Sequence, residues 1–367
     1  MHQVLFRIPA PGWPDGIPVQ GFGLMLLLGF LSASWLAARL ARRERIAEGM
    51  VQDIGLWLFL GGLAGARALY MWEYSSGFTD FVTRYFRFYE GGIILYGGYA
   101  GGALALVLGW YLKYRSQPVS PWRLADVYAA PLALGVALGR VGCLLNGCCY
   151  GQPAPPDYGT IPIHFPLPSA VRFDLGKLGL QSPAGFTLDP RALPRAVVGA
   201  VEPGSGADAL KPGDRIVEAA GMPVVTADDI SRILLEELAG PSHRGNNTLA
   251  LSVLRDGERI DLSYAPRTIG LHPAQLYETV SMILLTLLIM AYMPLRGREG
   301  QAAAVFVACY GAHRFLNELL RSDIRPVGLE SNTSLMLVAA GILMWIGLQF
   351  LTLPIRRHPD GEGRQAA

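Results

Sequence analysis

Residues 126–151 read DVYAAPLALGVALGRVGCLLNGCCYG, and their reading decides the fold class. The apolar run that begins near Leu124 closes on Arg140, Asn146 and three of the four cysteines of the chain. A stretch of about 20 apolar residues spans a bilayer, so these polar groups fall where a membrane helix would reach water.

Working outward, segments 18–40, 51–73, 91–113, 272–294, 301–321 and 333–354 share the character of 123–146. Only 16% of the 367 residues are charged and 51% are hydrophobic, whereas soluble globular proteins are nearer a quarter charged. The expected class is therefore an all-α polytopic membrane protein with seven transmembrane helices. The leading MHQVLFRIPAPGWPDG lacks the charged start, short apolar core and small-residue cleavage site of a signal peptide, which predicts that the first span is retained. Alternate short loops carry Arg39, Arg42, Arg43 and Arg45, then Lys113, Arg115 and Arg123, then Arg296 and Arg298, then Arg356, Arg357 and Arg364. The opposite set carries Arg7, Arg84, Arg87, Arg321 and Arg325, so the bias is twelve to five. The excess of cations predicts a cytoplasmic C-terminus and an N-terminus outside. A net charge of +2 gives no reason to expect nucleic acid as a partner.

About 125 residues between the fourth and fifth spans are not membrane-like, and the same topology places them in the periplasm. Within them, 196–238 reads as a strand, a Pro-Gly turn, a short helical turn, an alternating strand and an amphipathic helix. Thr226 caps that helix, and Asp228 and Asp229 in its first turn suit the helix dipole. In 247–266, Asp256-Gly257 between two alternating runs is a hairpin signal. This order, around LKPGDRIVEAAGMPV, resembles a PDZ domain of the bacterial periplasmic type over Arg191 to Pro266. The resemblance implies a peptide docked as an added strand beside a helix; a compact spacer is the other reading. The expected organisation is a membrane domain in two parts, 1–173 and 267–367, interrupted by an α+β PDZ-like insert at 174–266.

Ionisable groups inside a membrane are costly unless paired or hydrated, and so are functional candidates. They gather in GLAGARALYMWEY (62–74) with Arg67, in EGGIILYGGYAGGALA (90–105) with Glu90, Tyr96 and Tyr99, in the opening stretch, and in HPAQLYE (272–278) with YGAHRFLNELLR (310–321). The glycines Gly91, Gly92, Gly97, Gly98, Gly101 and Gly102 suit close helix packing. Helical spacing puts Tyr310, Arg314, Asn317 and Arg321 on one face, with Glu278 on the neighbouring span. Arg67, Arg140 and Arg314 have few carboxylates beside them in sequence. A planar guanidinium prefers a bidentate anion such as phosphate, and the implied ligand is a phospholipid head group.

On GARALY, the Gly-rich start of the third span, Asp126 to Pro131, GRVG with NG and YG, HPAQLYE and YGAHRFLNELLR, the chain resembles the prolipoprotein diacylglyceryl transferase family. The resemblance covers 18–173 and 267–354. It implies transfer of the diacylglyceryl group from phosphatidylglycerol to the lipobox cysteine thiol of an exported prolipoprotein in the bacterial inner membrane, with the insert docking the peptide. It further implies catalytic roles for Arg140, Arg314, Tyr96 and Tyr310, and substrate contacts from Arg67, Asn146, Gly97, Gly98, His272, Gln275, Tyr277, Glu278 and Cys148. No cofactor and no metal are expected. Tyr96 stands where the family has histidine, Cys143 where it has asparagine, and Cys148 where it has an acidic residue. Those departures define an alternative, a paralogue that binds phospholipid and peptide or uses its cysteines on another acceptor.

The cysteines leave four readings open: packing, a disulfide, a reactive thiolate and a metal site. Cys143 and Cys148 lie about 140° apart on one helix, so a bridge requires the helix to end near Gly147. A zinc set of Cys143, Cys148, Cys149 and His164 or Cys309 matches no strong spacing.

Overall fold

Arg42 and Arg43 end the first apolar run, and in the computed structural model they also end the first helix, where cations suit the C-terminal dipole. The structure describes residues 4–10, 13–75, 77–87, 94–154, 161–165, 170–234, 248–321 and 331–351. Glu90, Gly91, Gly92 and Arg325 lie outside the described residues.

In chain order, β1 (Val4–Ala10) and β2 (Trp13–Gln20) form an antiparallel hairpin ahead of α1 (Gly21–Arg43). Next come α2 (Glu48–Tyr74), the short α3 (Phe78–Tyr85), α4 (Leu95–Gly109) and α5 (Pro121–Asn146). A mixed segment follows: α6 (Ala170–Lys177), β3 (Phe186–Leu188), β4 (Val198–Val201), β5 (Arg215–Ala219), β6 (Met222–Pro223), α7 (Ala227–Arg232), β7 (Leu249–Arg255) and β8 (Glu258–Tyr264). Then α8 (Ala274–Tyr292), α9 (Gln301–Glu318) and α10 (Ser331–Leu351) complete the described chain.

Among the described residues, α1, α2, α5, α8 and α10 are long and apolar enough to cross a membrane. Of the other two expected spans, α4 has 15 residues and runs into a π-helical turn at Trp110–Tyr114, and α9 has 18 residues with His313, Arg314, Asn317 and Glu318 in its second half. Leu27, Leu31 and Trp35 on α1, Leu60 on α2, Leu104 on α4, Leu284 and Leu287 on α8 and Leu343 on α10 are exposed. Apolar side chains turned outward along helices that satisfy their own backbone suit lipid rather than water. By contrast, α5 presents Leu124, Val127, Ala129, Ala130, Ala133 and Ala137 buried, a face of mostly small residues.

The chain divides into two compact units. One comprises Gly29–Gly135, Met282–Ala312 and Thr333–Ala367. In it, α2 and α4 cross at Gly61, Gly65, Gly97 and Gly101, where their backbones touch: a Cβ on Gly101 would lie 2.9 Å from Gly65 Cα and 3.1 Å from Gly65 N. Small residues make this approach possible. Gly101→Leu is expected to force the pair apart at a cost of about 1–3 kcal/mol, seen as a lower thermal midpoint in detergent; an unchanged midpoint would refute the crossing. The same unit explains Asp126, which is wholly buried. Its carboxylate accepts the Gly300 amide at 2.8 Å and the Ala303 amide at 3.0 Å, satisfying donors that the start of α9 leaves open. Arg296 Nε lies 3.1 Å from it, and Arg296 forks onto Glu44 at 2.6 and 3.0 Å.

The second unit comprises Met1–Leu28, Val136–Ser281 and His313–Asn332. It holds a four-stranded antiparallel sheet in the order β6-β5-β7-β8 and a two-stranded sheet of β3 and β4. The β7–β8 turn is Asp256-Gly257, at φ +51° and +85°, the two left-handed residues that a two-residue hairpin loop requires. At α7, Thr226 Oγ1 accepts the Asp229 amide and Asp229 accepts the Thr226 amide, a reciprocal capping box. The apolar core of this segment runs from Ala184 through Val198, Ile216, Ile230 and Val253. Position 174 falls inside α6, whose Val171 and Leu175 join a different cluster with Tyr150, Phe165 and Leu271.

Arg255 grips Asp214 with Nε at 2.7 Å and Nη2 at 2.6 Å, and the Lys211 amide adds a bond at 2.8 Å. The guanidinium first, with that amide, holds the Asp214 carboxyl below the usual carboxylate range. A depressed folded value contributes stability above the ordinary value of about 3.9, and the contribution is lost as pH falls through the lower folded value. Urea resistance of the β5–β7 pair, read from amide protection, is therefore expected to decline below about pH 4. Asp214→Asn should flatten that decline; an equally steep decline in the variant would contradict the assignment.

Candidate functional site

The polar residues at the end of the opening stretch meet those of α8 and α9 within the second unit. Glu278, one turn into α8, is 2% exposed. Arg140 from α5 forms an ion pair with it through Nε, and Arg314 Nη1 from α9 lies 3.1 Å away on the other carboxylate oxygen. Asn317, one turn beyond Arg314, donates from Nδ2 to that same oxygen. Arg314 Nε also lies 3.2 Å from Glu318, its neighbour four residues on. Arg140, Arg314 and Arg321 are each only 7 to 8% exposed. Among the described residues the set brings three guanidiniums and two carboxylates into a buried setting, where charged hydrogen-bonding groups act strongly.

Two amides complete it. Gln275 Nε2 donates to Cys148 O at 2.7 Å, which fixes the side-chain orientation and leaves Oε1 buried without a partner among the described residues. Asn317 Oδ1 is in the same state. Buried acceptors with no donor are rare and costly, and both call for hydroxyl or N–H donors from a ligand.

The chain between α5 and α8 is threaded so as to hold these groups. Gly151 donates to His272 O at 3.2 Å, Gln152 donates to Leu320 O at 2.9 Å, and His272 donates back to Gln152 O at 2.9 Å. A Cβ at Gly151 would lie 2.5 Å from His272 O, so only glycine permits this approach. Arg321, just past α9, bridges antiparallel to Gly151. His272 and Tyr277 pair with each other, Nδ1 to OH at 3.4 Å.

Cys148 follows the end of α5. Gly147 takes φ +73°, and the Gly147 and Cys148 amides both donate to Cys143 O. The Cys148 thiol donates to Cys143 O at 3.7 Å and is folded back toward Cys143 and Cys149. All four cysteines are free thiols.

The remaining expected residues lie in the first-described unit. Arg67 is 1% exposed and donates to Arg84 O at 2.7 Å, Arg87 O at 3.0 Å and Tyr85 O at 3.2 Å. It therefore caps the C-terminal carbonyls of α3. Gly97 faces Gly65 and Leu69 across the helix crossing, and Gly98 faces Gly62 and Ala66, so both abut α2. The Tyr96 hydroxyl shares a hydrogen bond with Ser334 Oγ at 3.4 Å. Tyr310 is buried edge-on to Tyr99, with ring centroids 5.1 Å apart.

Sequence reasoning placed Asn317 and Glu318 on α9 without giving them a part in the site. The signal was present in their spacing of three and four residues from Arg314.

The sequence pattern of the prolipoprotein diacylglyceryl transferase family matches residues 13–347. A phosphatidylglycerol–prolipoprotein diacylglyceryl transferase of Rhodopirellula baltica is 34% identical over 165 residues, 44% of this chain and 32% of that protein. Proteins of the same description from a Nostoc species and from Enterococcus faecalis are 30% identical over 173 residues and 33% over 136 residues. These alignments take in 46% and 37% of this chain, and 60% and 48% of the relatives. The chain thus spans about a third to three fifths of the length of these relatives. With a match that runs across nearly all of its spans and both halves of the buried arginine cluster, the chain belongs to the prolipoprotein diacylglyceryl transferase family.

Proposed function

We propose that this chain transfers the diacylglyceryl group of phosphatidylglycerol to the lipobox cysteine thiol of an exported prolipoprotein. The observation that carries the reading is the convergence of Arg140 and Arg314 on the single carboxylate of Glu278, together with the oxygens Gln275 Oε1 and Asn317 Oδ1, which are unpartnered among the described residues. Guanidiniums bind a phosphodiester in a bidentate manner, and two lone acceptors suit the hydroxyls of a glycerol head group. In the reaction the thiol sulfur forms a bond to the glyceryl carbon while the carbon–oxygen bond to phosphate breaks. The electron pair leaves on glycerol phosphate, where Arg140 and Arg314 stabilise the developing charge. Tyr96 relays the thiol proton, and Tyr310, one turn before Arg314, positions the head group. His272, Tyr277, Asn146 and Cys148 line the approach to Gln275.

The proposed setting is the bacterial inner membrane with seven spans: α1, α2, α4 with its π-helical turn, α5, α8, α9 and α10. The N-terminus and the segment between α5 and α8 face the periplasm and the C-terminus the cytoplasm, a reading supported by the uneven distribution of arginine among the loops. The β-rich segment, 174–266 by sequence and with its core from Ala184, is a PDZ-like insert that docks the exported peptide by strand addition. Support comes from the order of its strands, the capped α7 and the Asp256-Gly257 hairpin.

Head-group preference tests the site. Purified protein in vesicles of phosphatidylglycerol should modify a lipobox peptide, and vesicles of phosphatidylethanolamine should not. Equal use of both lipids would overturn the role given to the two lone acceptors.

A further inference from the structure

Beyond the arginine cluster, the end of α5 holds a second constellation, which shares only Cys148 with the proposed site. The sulfurs of Cys143, Cys148 and Cys149 all lie within 4.8 Å of one another. On a continuous helix Cys143 and Cys148 would point well apart; here the helix stops at Asn146, Gly147 turns at φ +73°, and Cys149 itself takes φ +57°. A non-glycine residue in that region costs about 1 kcal/mol or more, and the neighbouring Tyr150, 1% exposed in its own apolar cluster, holds the turn in place. The strained backbone is what brings the third sulfur in.

We propose that Cys143, Cys148 and Cys149 form a three-thiolate site for a thiophilic closed-shell metal ion, Zn2+ or Cu+. Two sulfurs bound to one ion at about 2.3 Å stand about 3.8 Å apart at the tetrahedral angle, so inward shifts of at most about 0.6 Å per sulfur close the present triangle. No fourth His, Cys, Asp or Glu ligand joins the group among the described residues, which leaves a trigonal site or one open to solvent. Charge favours occupancy. Three thiolates with a divalent ion carry a net charge of −1, and Arg321 and Arg140 lie near enough to Cys149 to offset it. The ion displaces the thiol protons to solvent. The spacing of these cysteines in the sequence matches no common zinc pattern; their clustering is a product of the left-handed turn.

The test uses the whole chain, purified in detergent, reduced and freed of metal. Zn2+ and Cu+ are added in separate arms against a chromogenic chelator, and Co2+ in a third arm reports thiolate ligation by its sulfur-to-metal absorption. The expected result is one equivalent bound by the wild type, the Co2+ band present, and affinity at least tenfold weaker for Cys148→Ser and Cys149→Ser. Cys309→Ser should leave binding unchanged. Whichever of Zn2+ and Cu+ binds more tightly identifies the ion. The proposal falls if wild type shows no Co2+ band, if stoichiometry survives in the triple serine variant, or if thiol counting before reduction finds two of the four cysteines already joined in a disulfide. The Co2+ band is read on wild type, so a variant that fails to fold does not remove the test.

Discussion

Arg140→Ala is expected to reduce diacylglyceryl transfer by about 10²–10³-fold, the usual loss for one donor to a developing anion, while the protein still folds. The fold survives because Glu278 retains Arg314 and the Asn317 amide as partners. What disappears is half of the phosphate clamp, and the effect should fall on kcat together with kcat/KM, since the charge that Arg140 meets grows as the carbon–oxygen bond breaks. Arg140→Lys keeps the charge but not the fork, and should recover only part of the rate. Steady-state transfer to a lipobox peptide measures all three proteins. A rate for Arg140→Ala within a factor of a few of wild type would remove the arginine from the mechanism.

Glu278→Ala is expected to act on the fold instead. Its carboxylate faces two guanidiniums and an amide in a setting 2% exposed, and its removal takes this carboxylate partner from both buried cations at once. Breaking a buried pair from one side costs about 3–5 kcal/mol, comparable to much of a domain's net stability. Glu278→Gln keeps an acceptor of the same shape and should fall between the two. Thermal midpoints by size-exclusion in detergent give the order wild type, then Gln, then Ala. A stable Glu278→Ala protein would mean that the arginines are paired by other groups and that Glu278 is a site residue only.

Local chemistry was legible in the sequence wherever the answer lay within a few residues. Asp256-Gly257 announces its own turn, Thr226 and Asp229 their own cap, and the spacing of Tyr310, Arg314, Asn317 and Arg321 their common buried face. Partners distant in the chain were not legible. Arg67 looked like a cation in want of an anion, and it donates to backbone carbonyls at the end of α3, a meeting that no local pattern in the sequence encodes. Asp126 finds Gly300, Ala303 and Arg296 more than 160 positions on, and no periodicity encodes that meeting. Gly97 belonged equally to a packing motif and to a ligand motif, because both need a missing Cβ, and its contact with Gly65 was not legible. The cysteines show the same limit, since a helix drawn through Gly147 separates residues that its left-handed turn brings together.

The central claim is that the arginine cluster works on phosphatidylglycerol and a thiol. Mass spectrometry of a lipobox peptide incubated with the purified protein and phosphatidylglycerol tests it most directly. The expected product is the peptide bearing one diacylglyceryl group as a thioether on its cysteine, with glycerol phosphate released in equal amount. Peptide recovered unmodified from protein that still binds the lipid would contradict the claim, and would leave a phospholipid- and peptide-binding protein in place of a transferase.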